Sequence, residues 1–241
     1  MSITLHNVTR INGNSGGSAT VVLDDVSFAF EAGATTGVLA LRGGGKSTLI
    51  KLMTGSVPPT RGQVVRSGLV SFPVGSFGWM HRYMTGRENL HFLARVYGVD
   101  HRPVVDFVAG VSGLGKALDD SVASYSGEKR ARLSFSASYA MPFDVYLGDE
   151  FLIGGPPGFR DICRTMARER MAESTFILAT RSPALVRLFC DRAVILSGGK
   201  LTGFDSVREA LVQYAALTEA AAAEPAEQDS GFWAEDVEDA A

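Results

Sequence analysis

The sequence predicts an α/β fold, a mostly parallel sheet with helices on both faces, interrupted by a helical insertion. Three observations carry this. Short apolar runs of strand character alternate with segments whose apolar residues recur at helical spacing, the pattern of strand–helix–strand units. A glycine-rich turn at residues 40–48, ALRGGGKST, joins one such strand to one such helix. From about residue 75 to residue 140 the strand signal gives way to a mainly helical stretch.

The elements follow in order. SITLHNVTRI alternates apolar and polar residues, as a half-buried strand does. Residues 12–18, NGNSGGS, form a turn-forming break, and ATVVLDDVSFAF is a second β-rich stretch. EAGATTGVLAL is a turn and then an apolar strand ending at Leu41. STLIKLMTGSV places Leu49, Ile50, Leu52 and Met53 at helical spacing, PPTRG closes the unit, and QVVRSGLVSF is strand-like again. Within the insertion, TGRENLHFLARVYGV opens on a Thr cap and carries Leu90, Phe92, Leu93 and Val96. RPVVDFVAGVSG and SGEKRARLSFSASYAM follow as helices. The core then resumes with the buried strand FDVYLGDE, the helix GFRDICRTMARERM, the strand STFILAT, the helix SPALVRLFC and the strand RAVILSGGKL.

At 241 residues and 46% hydrophobic, the chain can build one large α/β domain with a subdomain, or two small domains. The net charge of −3 is unevenly placed. Residues 215–241 hold eight acids and no Lys or Arg, leaving 18 acids and 23 bases in the body, about +5. This acidic tail is expected to be disordered beyond a domain spanning residues 1–214. Its Phe232–Trp233 pair is either a docking peptide or part of a floppy end. Cys163 and Cys190 lie far apart on segments that read as helix, and nothing calls for a disulfide. The first ten residues lack the apolar core of a secretion signal, and no apolar run is long enough to span a bilayer. A membrane role therefore has to work through a partner. The small positive charge of the body does not point to nucleic acid.

In ALRGGGKST, glycines let successive backbone N–H groups turn toward an anion, and the following helix adds its positive N-terminus. Lys46 can reach the outer phosphates of a nucleotide, and Ser47 can ligate Mg2+. The candidate nucleotide-binding residues are Ala40, Leu41, Arg42, Gly43, Gly44, Gly45, Lys46, Ser47 and Thr48. Ala40 stands where the pattern usually has Gly. The bland alternative is a flexible linker, but a strand before and an amphipathic helix after favour the phosphate loop. About a hundred residues on, FDVYLGDEFL ends an apolar strand with Asp149 and Glu150. Strand alternation would send the two acids to opposite sides and to different tasks. Asp149 would hold the metal with Ser47, while Glu150 would orient or deprotonate the attacking water.

Together these residues resemble the ATP-binding subunits of ABC transporters, and among them the ATPases of capsular-polysaccharide exporters. The likeness is carried by FPVGSFGWMHRYMTGRENLHFLARVYG (72–98), by SYSGEKRARLSFSASYA and by LFCDRAVILSGGKL. It covers about residues 2–214. The resemblance implies a P-loop NTPase core with an antiparallel β subdomain and an inserted helical subdomain. It implies ATP and Mg2+ as cofactors and a head-to-tail dimer, with itself or a homologous ATPase. Each ATP would then lie between one phosphate loop and the partner's signature segment, here Ser126, Gly127 and Glu128. It further implies a separate multi-span permease, contacted by the helical insertion, and a place at the cytoplasmic face of the inner membrane.

Several positions depart from the family pattern. Glu128 puts a carboxylate in the signature, where about 4 Å from a phosphate charge it would cost roughly 4 kcal/mol at an effective dielectric of ~20. Alternatively Glu128 turns along its helix to pair with Arg132, with Lys129 and Arg130 close by. The switch histidine is absent, since the last His is His101, and Arg181 holds its place as a candidate catalytic residue. An arginine binds phosphate bidentately but shuttles no proton. Pro156 replaces an Asp that braces the dimer, Gly75 stands near the place of a metal-sensing Gln, and Ile11 sits where an aromatic stacks on adenine. These departures leave two readings: an energy-coupling ATPase with turnover weakened by them, or a catalytically degenerate nucleotide-binding partner. A soluble cassette acting on nucleic acid or ribosomes is disfavoured by the single phosphate loop.

Overall fold

The computed structural model describes residues 1–13 and 19–223. Part of the 12–18 break, and residues 224–241 with Phe232 and Trp233, lie outside the described residues. In chain order the elements are β1 (Ile3–Gly13), β2 (Ala19–Phe30), β3 (Thr35–Ala40), α1 (Lys46–Thr54), β4 (Arg61–Arg66) and β5 (Val70–Pro73). The insertion follows as α2 (Gly86–Val96), α3 (His101–Val111), two short 3-10 turns and α4 (Gly127–Ala140). The core closes with β6 (Val145–Asp149), α5 (Pro157–Glu173), β7 (Thr175–Thr180), α6 (Pro183–Phe189), β8 (Arg192–Ser197), β9 (Lys200–Phe204) and α7 (Val207–Ala223).

Two sheets result. One is antiparallel, in the order β2-β1-β4. The other runs β5-β6-β7-β3-β8-β9 and is parallel except for β9, which returns antiparallel on β8. The central strands are buried on both faces, as parallel strands are, and their side chains divide by alternation. Val38, Ala40, Val145, Leu147, Ile177 and Ala179 pack against α1 and the antiparallel sheet. Tyr146, Phe176 and Leu178 turn the other way, onto α4 and α5 and the insertion. Leu39, Ala193 and Ile195 meet α6 and α7. Every strand of this core thus presents one side to each helical layer.

The insertion is rooted by local chemistry that the sequence spells out. Thr85 caps α2 with a full capping box: its hydroxyl accepts from the Glu88 N–H at 3.1 Å, and its own N–H donates to Glu88 Oε2 at 2.8 Å. Asp100 caps α3 and Ser126 caps α4.

Four sequence expectations need correction. QVVRSGLVSF is two strands in two sheets: the chain turns at Gly68 (φ 85°), and Leu69 N–H donates to Asp144 Oδ2 at 2.7 Å. RAVILSGGKL is the hairpin of β8 and β9, turned by Gly198 and Gly199 at positive φ. Cys190 falls just past α6, in extended backbone, whereas Cys163 lies within α5 as expected. The expected boundary at 214 falls inside α7, which spans Val207–Ala223, with Ala210, Tyr214 and the half-buried Leu217 packed on the sheet. Among the described residues no helix is long and apolar enough to cross a membrane.

Candidate functional site

The carboxyl end of β3 enters the glycine turn, and α1 leaves it. Gly45, at φ 90°, caps α1 without a side chain, so the helix's first N–H groups stay open to a ligand. A Cβ on Gly45 would meet Val22 Cγ1 at 2.6 Å, so only glycine fits this close pass. The turn closes on itself through Gly44 N–H to Leu41 O at 3.0 Å. Residues 41–48 line a cleft of about 430 Å³ together with Glu150 and Arg181. Ala40 is fully buried at the end of β3, beneath that cleft. Asn12 on β1 donates to Thr48 Oγ1 at 3.5 Å, tying the loop to the antiparallel sheet.

The paired acids do not face opposite ways. Asp149 ends β6, but Glu150 leaves extended geometry for the left-handed region at φ 66°. Its N–H still reaches Ala179 O on β7 at 2.8 Å, and its side chain swings to the same lysine as Asp149. Lys46 Nζ therefore donates to Asp149 Oδ1 and lies 3.3 Å from Glu150 Oε1. Strand alternation fails here because the strand has already ended.

Glu150 is gripped on both oxygens. Oε2 accepts from Thr180 Oγ1 at 2.9 Å and from the Arg181 N–H at 3.1 Å, while Oε1 lies 3.1 Å from Arg181 Nε. Partial burial would raise the Glu150 pKa, but the Arg181 N–H, the Thr180 hydroxyl, Lys46 and the Arg181 side chain outweigh it and hold the carboxyl below its ordinary range. Thr180 was not anticipated from sequence, although its place beside Arg181 is a signal that could have found it. Tyr214 was missed as well. Its hydroxyl donates to Ala40 O at 3.1 Å, and no local motif announces it.

The signature residues lie elsewhere. Ser126 Oγ accepts the Lys129 N–H at 3.2 Å, and Gly127 begins α4. Glu128 Oε1 lies 3.1 Å from Arg132 Nε, so of the two orientations weighed above this chain adopts the one along the helix. None of the three lines the phosphate-loop cleft. Ile11 pairs across the sheet with Val21, Pro156 caps α5, and Gly75 N–H donates to Ser138 Oγ at 3.1 Å.

The donor set suits a magnesium nucleotide. Ser47 lines this cleft, while Asp149 lies beside it on the Lys46 ammonium and lines the adjoining cavity with Gly75 and Phe135. Mg2+ ordinarily binds through one or two protein oxygens plus substrate phosphates, so a hydroxyl and a carboxylate suffice on the protein side.

A parallel sheet bearing a glycine loop at its carboxyl edge, with an acid pair at the end of the strand one removed, is a P-loop NTPase core. The antiparallel sheet and the helical insertion make it a cassette. The chain belongs to the ABC transporter family, whose model matches residues 23–152. It is 37% identical over 196 residues to the capsule polysaccharide export ATP-binding protein CtrD of Neisseria meningitidis serogroup B, covering 81% of this chain and 91% of that one. It is 36% identical over 212 residues to the ATP-binding protein BexA of Haemophilus influenzae, covering 88% of this chain and 97% of that one. The polysialic acid transport ATP-binding protein KpsT of Escherichia coli is 31% identical over 196 residues, 80% of this chain and 88% of that one. Among solved structures, an ATP-binding subunit of an ABC transporter superposes with a TM-score of 0.71 at 19% identity, covering 91% of this chain and 100% of that one. The dimeric ATP-binding cassette MJ0796, bound to ADP and Pi, superposes with a TM-score of 0.69 at 17% identity, covering 83% and 96%.

Proposed function

We propose that this chain is the ATP-hydrolysing subunit of an ABC exporter for a capsular or similar polysaccharide, driving a separate multi-span permease from the cytoplasmic face of the inner membrane. The transport half of the reading rests on the capsule-export relatives, which align over most of both chains. The hydrolytic half rests on one observation: Glu150, hydrogen-bonded by Arg181 and Thr180, stands beside Lys46 at the lip of the phosphate-loop cleft.

On this reading the backbone N–H groups of residues 41–48 cradle the phosphates of ATP. Lys46 exchanges its two carboxylate partners for phosphate oxygens. Ser47 and Asp149 would hold Mg2+, which would supply neutralisation of phosphate charge. Glu150, released from Lys46, orients the attacking water and accepts its proton. Arg181 carries positive charge toward the terminal phosphate but accepts no proton, so turnover is lower than with a histidine there. Ser126 and Gly127 act across a head-to-tail dimer, on the nucleotide held by the other protomer.

The test is phosphate release by the purified chain with ATP and Mg2+. Glu150→Gln is expected to slow it at least a hundredfold, with ATP binding retained. An unchanged rate would remove Glu150 from the mechanism. Arg181→His is expected to raise turnover.

A further inference from the structure

We propose that Tyr214 is a positioning residue for ATP hydrolysis, its hydroxyl fixing the spacing between the phosphate loop and the segment that orients Glu150. The inference rests on the hydrolytic reading above and concerns a helix outside the phosphate loop, the acid pair and the signature.

Strands β3 and β7 pair in parallel from Thr35↔Phe176 to Leu39↔Thr180. One residue further they part. Ala40, the last residue of β3 and still paired with Leu196 of β8, leads into the phosphate loop toward Lys46, and Arg181 leads into α6. Tyr214, reaching in from α7, sits at that divergence. Its hydroxyl donates to Ala40 O at 3.1 Å, and Arg181 O lies 3.5 Å from the same oxygen. The carbonyls it spans thus belong to the two residues just beyond the last paired rung. One arm leads to Lys46. The other leads to the Arg181 N–H and side chain, which hold both oxygens of Glu150.

The hydroxyl does more than seat the helix. The Tyr214 ring is 5% exposed and packs with Leu39, Val186, Ala193, Ile195 and Ala210, a set that would hold a phenylalanine equally well. What the oxygen adds is a polar tie at the point where the β3–β7 pairing ends, while Ala40 still pairs with Leu196 of β8 on the other side. Burial pushes the phenol up from its ordinary range, and the nearby Glu150 charge pushes the same way. Tyr214 is therefore a neutral donor at any working pH. Losing the tie lets the Arg181 segment, whose N–H and side chain contact both oxygens of Glu150, move relative to the phosphate loop.

The experiment compares Tyr214→Phe with the parent chain in three measurements: steady-state ATPase kinetics, thermal unfolding, and hydrogen exchange of the Arg181 backbone amide followed by NMR in nucleotide-free protein. The expected result is a kcat lowered about fivefold or more with KM for ATP within twofold. The Arg181 N–H, which donates to Glu150 Oε2 in the parent chain, exchanges about tenfold faster. A variant with unchanged kcat and unchanged exchange at Arg181 overturns the proposal, even where its melting temperature drops. A parent chain without Glu150-dependent hydrolysis would overturn the hydrolytic reading instead. The exchange measurement still tests Tyr214 in that case, because it needs no turnover.

Discussion

Arg181 holds Glu150 from two directions at once: its backbone N–H donates to Oε2 at 3.1 Å and its Nε lies 3.1 Å from Oε1. A histidine at this place would keep the first bond and lose the guanidinium. The arginine therefore orients the carboxylate and adds to the hydrogen bonds that hold its pKa below the ordinary range.

The pH dependence follows from that grip. The Glu150 carboxyl lies below its ordinary value in the folded chain, the net of burial raising it and of Arg181, Thr180 and Lys46 lowering it by more. A carboxyl depressed by folding stabilises the native state above its unfolded value. That contribution is lost as pH falls through the folded value. Arg181→Ala removes the side-chain ion pair and leaves the backbone bond. Its acid limb of kcat is expected to move upward relative to the parent, while the rate near pH 8 changes less than the rate near pH 5. Parallel profiles with no relative shift would mean that the guanidinium does not sustain the carboxylate.

A second prediction concerns the joint between the insertion and the core. Phe135 of α4 lies between the loop after β5 and the loop after β6. Its ring atoms stand 2.4 Å from where a Cβ on Gly75 would be and 2.2 Å from where one on Gly154 would be. Ser134 Oγ donates to Ser76 O at 2.6 Å, and Ser138 Oγ takes the Gly75 N–H, so α4 holds the first loop by three contacts. Gly154→Ala overpacks this joint and is expected to cost about 1–3 kcal/mol of stability, as insertion of a methyl into a packed site does. Denaturant unfolding measures it. Pairing the change with Phe135→Leu should return part of the loss, and a double variant no better than the single one would show that the ring is not the obstacle.

Much of this was legible in the sequence, and the limits have physical causes. The phosphate loop could be read because its function is performed by backbone, which demands glycines at fixed spacing and marks them in the sequence. The capping box at Thr85 is visible for the same local reason. The convergence of Asp149 and Glu150 on Lys46 could not be read, because it depends on a left-handed residue where glycine is absent. The break in QVVRSGLVSF was hidden by continuous β propensity on both sides of Gly68, whose partner strands lie far off in the chain. Tyr214 and Phe135 act across 174 residues and between loops, and pattern spacing carries no trace of such contacts.

The last prediction separates the two orientations of Glu128. A carboxylate facing a triphosphate would repel it, and Glu128→Gln would then tighten ATP and lower KM severalfold. Glu128 instead lies along α4, with Oε1 3.1 Å from Arg132 Nε. Arg132 also donates from Nη1 to Ser112 O at 3.1 Å, so the pair is anchored at the end of α3. Exposed pairs at this spacing are worth about 0.3–0.5 kcal/mol. Glu128→Gln is therefore expected to leave KM for ATP and kcat within twofold of the parent and to lower stability by no more than about 0.5 kcal/mol. Kinetics and thermal unfolding on the same preparation decide it. A marked fall in KM would put the carboxylate at the nucleotide of the closed dimer, and the helix pairing would then belong to the open state alone.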